Sequence, residues 1–238
     1  LRDAIKYCKS KNIPVVFWNK EDPTNYDVFI DVAADCDYIF TTDGAIVDQY
    51  KNRVGHDRVY PLAFAAQPAI HNPIRDKRKK LPTYEICFAG SWYNNGHDTR
   101  RVQTEIVLDG AIHRELHVYD RMLHATKHRE SRIFPAKYQP FIVGSLSYDQ
   151  MVTAYRQYKL FLNINTVQDS PTMFSRRVFE ILACGTPVVS THSDGMKAML
   201  GEHVHVVHDK EEAKKVVQQL LESDLDRERL ELRNGEVR

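Results

Sequence analysis

Apolar residues recur at helical spacing between positions 174 and 183, and the stretch around them organises the rest of the chain. The pattern predicts a helix that begins near Ser170, whose hydroxyl oxygen suits a helix start, with Pro171 in the first turn. Gly185 is expected to end this helix in a left-handed conformation. The apolar run at 188–189 then predicts a short strand that is buried on both faces.

Shorter apolar runs alternate with amphipathic segments along the whole chain. The runs predict strands near 13–18, 38–41, 58–62, 84–89, 116–119, 141–144, 160–165 and 203–207. Amphipathic segments between them, such as 26–34 and 210–221, predict helices. This alternation is typical of βα units on a parallel sheet, so the sequence predicts an α/β fold.

The alternation divides into two parts. We expect a first, partial domain at 1–72, a basic linker at 73–83, and a second domain at 84–238. The first part carries only three predicted strands, fewer than a Rossmann-like half usually contains. Leu1 lies inside a predicted helix, so we expect the natural protein to begin upstream of it.

Charge and cysteine content narrow the classes of partner. The chain has 33 basic and 32 acidic residues, a balance that does not favour a nucleic-acid or membrane partner. The basic run of the linker lacks the interleaved aromatic residues of a nucleic-acid patch. The sequence contains no run of eighteen apolar residues, so it indicates no transmembrane helix. Four widely spaced cysteines, Cys8, Cys36, Cys87 and Cys184, indicate reduced, packed thiols in a cytoplasmic protein.

The polar side of the predicted helix carries the first candidate chemistry. Arg176 and Arg177 lie four and three residues before Glu180, so two cations and one carboxylate share a flank. A helix N-terminus with nearby arginines attracts phosphate, because amides and guanidinium groups both favour an anion. A solvated ion pair on an exposed helix explains the same pattern. The residues alone leave both interpretations open.

Polar residues also follow several predicted strands, where α/β sheets bind their ligands. Asp22 lies in the loop after the first strand. Gly90 and Ser91 follow the strand at 84–89, and Asn165 and Thr166 close the strand at 160–165. Ordinary turn and loop roles remain open for each of these positions.

Two sequence patterns resemble metal-binding motifs, but we expect neither of them to bind a metal. The triplet at 35–37 matches D-x-D but leads directly into a strand, which indicates capping and turn chemistry. The histidines His113, His117, His124 and His128 mix two spacings that would need one continuous helix. Since His117 falls in a predicted strand, we expect no zinc site and no metal cofactor.

Two segments resemble a known family. The run RRVFEILACGTPVVST at 176–191 resembles the donor-binding helix of GT-B glycosyltransferases of the group 1 type. The run WNKEDP at 18–23 resembles the CgeB-like (spore maturation protein) branch of that group. The resemblance implies two Rossmann-like domains with parallel sheets flanked by helices, of which the N-terminal one, on the acceptor side, is incomplete here.

The resemblance also assigns roles. Glu180 would bind the ribose hydroxyls of a nucleotide-sugar, and Arg177 would lie near its diphosphate, with Arg176 as the alternative. Many group 1 enzymes carry a second glutamate where this chain has Thr172, so ribose binding carries over better than sugar recognition. The remaining donor-binding candidates are Gly90, Ser91, Tyr148, Asn165, Thr166 and Ser175.

The implied activity is transfer of a sugar from a nucleotide-sugar to an unknown acceptor by a metal-independent hexosyltransferase. Glu21, Asp22 and Asp43 would line the interdomain cleft near the acceptor. Asp22 would act as base if the reaction inverts, or position the acceptor if it retains, which the resemblance favours. A nucleotide-sugar epimerase of the same fold and a non-catalytic nucleotide-sugar-binding module are the alternatives.

Overall fold

A computed structural model describes residues 1–74, 83–96, 98–127 and 130–222. The helices in these ranges are α1 (Arg2–Ser10), α2 (Tyr26–Ala33), α3 (Val47–Val54), α4 (Asp98–Ala111), α5 (Tyr148–Tyr155), α6 (Arg177–Ala183), α7 (Asp194–Leu200) and α8 (Lys210–Glu222). The strands are β1 (Val16–Asn19), β2 (Tyr38–Thr41), β3 (Val59–Pro61), β4 (Tyr84–Gly90), β5 (Leu116–Asp120), β6 (Ile142–Gly144), β7 (Tyr158–Asn163), β8 (Val188–Thr191) and β9 (His205–Val207). The predicted alternation of strands and helices, and with it the α/β class, is confirmed.

The chain forms two compact units that draw on interleaved segments. The first unit contains Leu1–Phe64, Val167–Phe174 and Ser193–Met199. The second contains Ala65–Thr166, Ser175–His192 and Leu200–Arg238. The expected domains at 1–72 and 84–238, with a linker at 73–83, stay a prediction; each compact unit also takes in segments from beyond those bounds. Residues 75–82 of the expected linker lie outside the described residues.

The first unit is built on a parallel sheet of β1, β2 and β3 in that order. Phe17 pairs with Ile39, and Ile39 pairs with Val59, so these three side chains share one face of the sheet. This face packs against α2 and α3 through a buried cluster that includes Ile30 and Tyr50. The opposite face is apolar and exposed; it carries Val16, Trp18, Tyr38 and Tyr60.

The second unit is built on six parallel strands in the order β6-β5-β4-β7-β8-β9. The strand order reverses between β4 and β7, as in the doubly wound Rossmann fold, whose ligands bind at the carboxyl ends of the strands beside the reversal. Because helices cover both faces, the central strands are almost continuously buried; β4 and β7 supply Ile86, Phe88, Leu160 and Leu162 to the core.

The helix at the centre of the sequence analysis is shorter than predicted. The pattern predicted a start near Ser170, whereas α6 begins at Arg177. Ser170 still caps backbone amides, accepting from Met173 N at 2.9 Å, but it does so in a turn of the first unit. The predicted end is confirmed, since Gly185 has φ +78° and its amide donates to the carbonyl of Leu182.

Helices α4 and α8 pack closely because a glycine lies between them. A Cβ at Gly110 would lie 2.5 Å from the Cβ of Ala213 and 2.9 Å from the amide nitrogen of Lys214. Both neighbours belong to the rigid helix α8, so neither atom is the end of a flexible side chain. The close approach of the two helices therefore requires glycine at this position.

None of the helices in the described ranges combines the length and the apolar content that a membrane span requires.

We expect Gly110→Ala to lower the free energy of unfolding by about 1–3 kcal/mol, because the added methyl forces α4 away from α8. In a helix without such a contact, replacing glycine with alanine raises the stability by about 1 kcal/mol. A lower stability of Gly110→Ala can therefore be attributed to the packing of α4 against α8. Urea denaturation measures it, with Val102→Ala on the exposed face of α4 as the control. An unchanged or increased stability of Gly110→Ala would contradict this account of the packing.

Candidate functional site

The carboxyl ends of β4 and β7 lie side by side in the second unit, at the reversal of strand order. β4 ends at Gly90 and β7 at Asn163, and the chain continues from these strands into Ser91 and Asn165. Ligands of doubly wound sheets bind at this edge. The predicted donor-binding residues that follow β4 and β7 are therefore brought together at one edge of the sheet.

Glu180 is a buried carboxylate on α6, only 4% exposed, and it has two polar partners. Arg176 Nε lies 3.0 Å from Glu180 Oε1, and the Tyr155 hydroxyl donates to Oε2 at 2.9 Å. Burial, followed by smaller contributions that include the Glu180 charge, raises the pKa of Tyr155, so this hydroxyl stays protonated and donates. The network fixes the carboxylate inside the second unit.

Arg176 connects this carboxylate to an exposed aromatic ring. Its side chain is about half exposed, and its guanidinium carbon lies 6.0 Å from the centre of the Tyr148 ring. Tyr148 begins α5 and is itself exposed. The sequence-predicted residues Tyr148, Arg176 and Glu180 therefore form one chain of contacts from solvent to a buried charge.

Arg177 is oriented differently from its neighbour. Its Nη1 donates to the carbonyl of Ala89, the residue directly before Gly90. The guanidinium group therefore lies at the carboxyl end of β4. Of the two predicted arginines, Arg176 pairs with the carboxylate and Arg177 lies at the edge of the sheet.

Arg100 on α4 brings a further cation to the end of β7. Its Nη1 donates to the hydroxyl of Thr166 at 2.9 Å, and its guanidinium carbon lies 5.0 Å from the Tyr93 ring centre. Its Nε is buried without a hydrogen-bond partner. An unpartnered buried donor on a cation is costly, which is typical of a site that accepts an anion.

Three other guanidinium groups act on Arg100. Burial is the largest cause that lowers its pKa, and the positive charges of Arg177, Arg132 and Arg121 lower it further. Arg132 stacks on the same Tyr93 ring as Arg100, with its guanidinium carbon 3.6 Å from the ring centre. The four arginines create a concentrated positive field at this edge of the sheet.

The Asn165 side chain connects backbone and side-chain groups around the site. Its Nδ2 donates to the carbonyl of Thr191 at 2.8 Å and to the hydroxyl of Ser190 at 3.2 Å. Its Oδ1 accepts from the amide of Ser175 at 3.0 Å. Asn165 therefore links β7 to β8 and holds the entrance to α6, while ligand contact by Asn165 or Ser175 stays a prediction.

Gly90 and Ser91 lie at the end of β4 and are buried. A Cβ at Gly90 would come within 3.0 Å of the Phe88 ring, so a side chain there would crowd the core. The carbonyl of Gly90 accepts from the amide of Arg121 at 2.9 Å, which fixes the backbone of this loop.

The first unit contains a separate, enclosed polar cluster around Asp22. Asn19 Nδ2 donates to Asp22 Oδ1 at 2.6 Å, and the Thr41 hydroxyl donates to Oδ2 at 2.6 Å. The Tyr50 hydroxyl lies 3.1 Å and 3.2 Å from the two oxygens. Asp22 is 1% exposed, and burial raises its pKa from an ordinary value near 3.8 to about 6. Among the described residues, these three hydrogen-bond partners of the carboxyl all belong to the first unit, and its role as a base stays a prediction.

Asp43 and Thr172 are also bound within the first unit. The Ser170 hydroxyl donates to Asp43 Oδ1 at 2.6 Å. The Thr172 hydroxyl accepts from the amide of Gly44 at 2.7 Å and donates to the carbonyl of Thr42 at 2.8 Å. Where the resembled family often has a sugar-facing glutamate, this chain thus has a threonine that pairs backbone groups.

Two of the side chains considered above as metal ligands form hydrogen bonds with other protein groups. Asp37 Oδ2 accepts from the amide of Val15 at 2.8 Å, in keeping with the expected turn chemistry. His117 lies in β5, as predicted, with its Nδ1 2.8 Å from the Tyr158 hydroxyl. Within the described part of the chain, His, Cys, Asp and Glu side chains form no group of three or more that could hold a metal ion. His128 lies outside the described residues.

Several residues of the site had no place in the sequence-based prediction. The sequence pattern gave no site role to Tyr155, Tyr93 or Arg132. Their contacts join elements that are distant in sequence, so no local spacing marks them. The arginines at positions 100, 121 and 132 are visible in the sequence, but their spacing does not show that they converge.

The family and the fold follow from comparison with known proteins. The glycosyl transferase-like family matches residues 110–238, just over half of the chain, and the chain belongs to this family. The expected membership among glycosyltransferases is therefore confirmed. No curated protein matches the sequence.

Solved structures share the fold at low sequence identity. A glycosyltransferase from Rickettsia africae superimposes with a TM-score of 0.60 at 10% identity, covering 99% of this chain and 74% of its own. Anabaena Alr3699/HepE, solved with UDP and glucose, gives 0.58 at 10% identity, covering 100% and 70%. Sucrose-phosphate synthase from Thermosynechococcus elongatus gives 0.59 at 16% identity, covering 92% and 57%. The chain has the α/β fold of GT-B glycosyltransferases.

We expect Thr172→Val to lower the free energy of unfolding by about 1–3 kcal/mol, because it leaves a backbone amide and a carbonyl without their partner. Thr172→Ser keeps the hydroxyl and serves as the control. Chemical denaturation at pH 7 measures both variants. Equal stability of the valine and serine variants would show that the hydroxyl contributes nothing.

We expect wild-type stability to fall relative to Asp22→Asn as the pH rises from about 4 through about 6. The folded-state pKa of Asp22 is raised, so the proton is bound more tightly in the folded chain and its loss costs stability. The change, reduced for screening by solvent, is about 1–2 kcal/mol.

Urea denaturation from pH 3.5 to 7.5 measures this difference, with Asp57→Asn at an exposed position of the same unit as the control. A difference between wild type and Asp22→Asn that is constant over this range would contradict the assignment.

Proposed function

We propose that this protein transfers a sugar from a nucleotide-sugar donor to an acceptor. The observation that carries the proposal is the buried carboxylate of Glu180, fixed by Tyr155 and Arg176 beside the ligand-binding edge of the second unit. Membership in the glycosyl transferase-like family supports it. The donor is bound by this unit, and the acceptor is unknown.

Glu180 binds the ribose of the donor. A carboxylate has about four lone-pair positions, and Arg176 and Tyr155 use one on each oxygen. The remaining positions accept hydrogen bonds from the vicinal hydroxyl groups of the ribose. Because the carboxylate is already desolvated and held, such bonds cost little reorganisation. Tyr148, exposed beside Arg176, is proposed to lie next to the nucleobase.

The diphosphate binds at the arginines. Arg177 and Arg100 lie at the ends of β4 and β7, and Arg132 and Arg121 strengthen their positive field. Negative charge develops on the leaving diphosphate as the glycosidic bond breaks, and fixed cations stabilise that charge most in the transition state. We therefore propose that transfer needs no metal ion.

We propose a retaining hexosyltransferase, a reaction that needs no protein base, and the burial of the Asp22 carboxyl is consistent with this. Placement in the CgeB-like branch rests on the WNKEDP segment. The Anabaena neighbour was solved with UDP and glucose, which makes uridine nucleotides the first donors to test.

We expect one nucleoside diphosphate among UDP, GDP, ADP and CDP to stabilise the chain without added metal, and Glu180→Gln to abolish this effect. A ligand at about a hundredfold above its dissociation constant adds roughly 2.7 kcal/mol to the free energy of unfolding. Thermal denaturation with each nucleotide measures the shift. Glu211→Gln, on α8 in the same unit, is the matched control and should respond like wild type.

The same experiment separates the alternatives. A wild-type chain that no nucleotide stabilises would contradict the proposal. Turnover assays with the matching nucleotide-sugar then distinguish the classes of function. Isomerisation of the donor sugar without an acceptor would identify an epimerase, and binding without turnover a non-catalytic module.

A further inference from the structure

His71 lies in a loop that a single arginine holds in place. Arg156, which caps the end of α5, donates from Nε to the carbonyl of Asn72 at 2.7 Å and from Nη2 to the carbonyl of Ile70 at 2.6 Å. These carbonyls flank His71 on both sides. The amide of His71 donates to the carbonyl of Gln67 at 2.7 Å. The imidazole is therefore fixed by its own backbone before any ligand binds.

The two ring nitrogens of His71 differ in their surroundings. The amide of Gln67 donates to Nδ1 at 3.1 Å, so Nδ1 acts as the acceptor and the proton of the neutral ring lies on Nε2. The residue is 3% exposed, and Nε2 is buried without a hydrogen-bond partner. Because Nδ1 faces its own loop, Nε2 points away from that loop. A buried hydrogen-bond donor without an acceptor is rare in folded proteins, which indicates that a ligand supplies the acceptor.

The unpartnered donor belongs to the surroundings of Glu180. The His71 ring lies 6.3 Å from the Tyr155 ring, and the Tyr155 hydroxyl donates to Glu180. Burial lowers the pKa of His71, the Glu180 carboxylate opposes this, and the charges of Arg176 and Arg156 add to it. The ring is therefore neutral near pH 7, and its Nε2 carries a proton.

We propose that His71 donates from Nε2 to a hydroxyl oxygen of the ribose that Glu180 binds. This inference rests on the proposed function of the Glu180 site. A ribose hydroxyl both donates and accepts, so a carboxylate that accepts and an imidazole that donates are complementary to a vicinal diol. His71 is thus a specificity residue for ribonucleotides, and Arg156 is the positioning residue that holds its loop.

The experiment compares two substitutions that separate the ring nitrogens. Asn at position 71 places its Oδ1 near Nδ1, so it keeps the acceptor for the Gln67 amide and removes the donor. Gln places its amide nitrogen near Nε2 and keeps the donor. Calorimetric titration of the 238-residue chain uses UDP, GDP, ADP and CDP first. The tightest of these is then compared with its 2′-deoxy and 3′-deoxy forms.

We expect His71→Asn to weaken binding of the ribonucleotide about tenfold, since one buried hydrogen bond is lost. We expect His71→Gln to bind within about threefold of wild type. One deoxy form should bind wild type and His71→Asn equally, because it lacks the hydroxyl that His71 contacts. His56→Asn is the matched control: its Nδ1 also accepts a backbone amide and its Nε2 is also unpartnered, but it lies in the first unit.

Two results would overturn the inference while leaving the proposed function intact. The first is ribonucleotide binding by His71→Asn that equals wild type. The second is a loss of affinity in His71→Asn that is the same for the ribonucleotide and both deoxy forms, which would mean a general effect on the loop. A wild-type chain that binds none of the four nucleotides would overturn both proposals. Urea denaturation of each variant verifies that it folds.

Discussion

The second unit depends on the solution to one physical problem, the burial of a carboxylate on a short helix. An isolated charge in a protein interior is prohibitively costly, so Glu180 is tolerated only because Arg176 and Tyr155 complete its coordination. Arg176 directly precedes the first residue of α6, and Tyr155 comes from the end of α5. The requirement to pair one charge thus fixes how α5 and α6 meet, and it leaves a desolvated acceptor beside the ligand-binding edge of the sheet.

The two units treat buried carboxyl groups in different ways. The oxygens of Asp22 meet donors from Asn19, Thr41 and Tyr50, so the cluster is closed and its chemistry is internal. The network around Glu180 is open, since Arg176 is half exposed and the donors on Arg100 and His71 lack partners. Closed networks stabilise a fold, whereas unpartnered donors are typical of a site that awaits a ligand.

The features that could be predicted from the sequence are those that depend on a few neighbouring residues. The strands, the end of α6 at Gly185 and the placement of polar residues after strands all depend on local spacing, and the structure contains them. The start of α6 could not be predicted, because Ser170 has a carboxylate partner 127 positions earlier in the chain. The hydrogen bond from Arg156 to the carbonyl of Asn72 likewise joins residues 84 positions apart. Such contacts follow from topology, which periodicity does not reveal.

The interleaving of the two units has a consequence for synthesis on the ribosome. The first unit emerges early, but Asp43 and Gly44 receive their partners from residues 170 and 172, which lie 127 and 128 positions later. At translation rates of about 5–20 residues per second, this interval lasts about 6–25 s. During that time the Asp43 carboxylate accepts only from the local amide of Ala45 among these partners, and the Gly44 amide lacks the Thr172 hydroxyl. The first unit is therefore completed only after β4, β5, β6 and β7 of the second unit have been synthesised. This order of emergence opposes the usual domain-by-domain folding of multidomain chains.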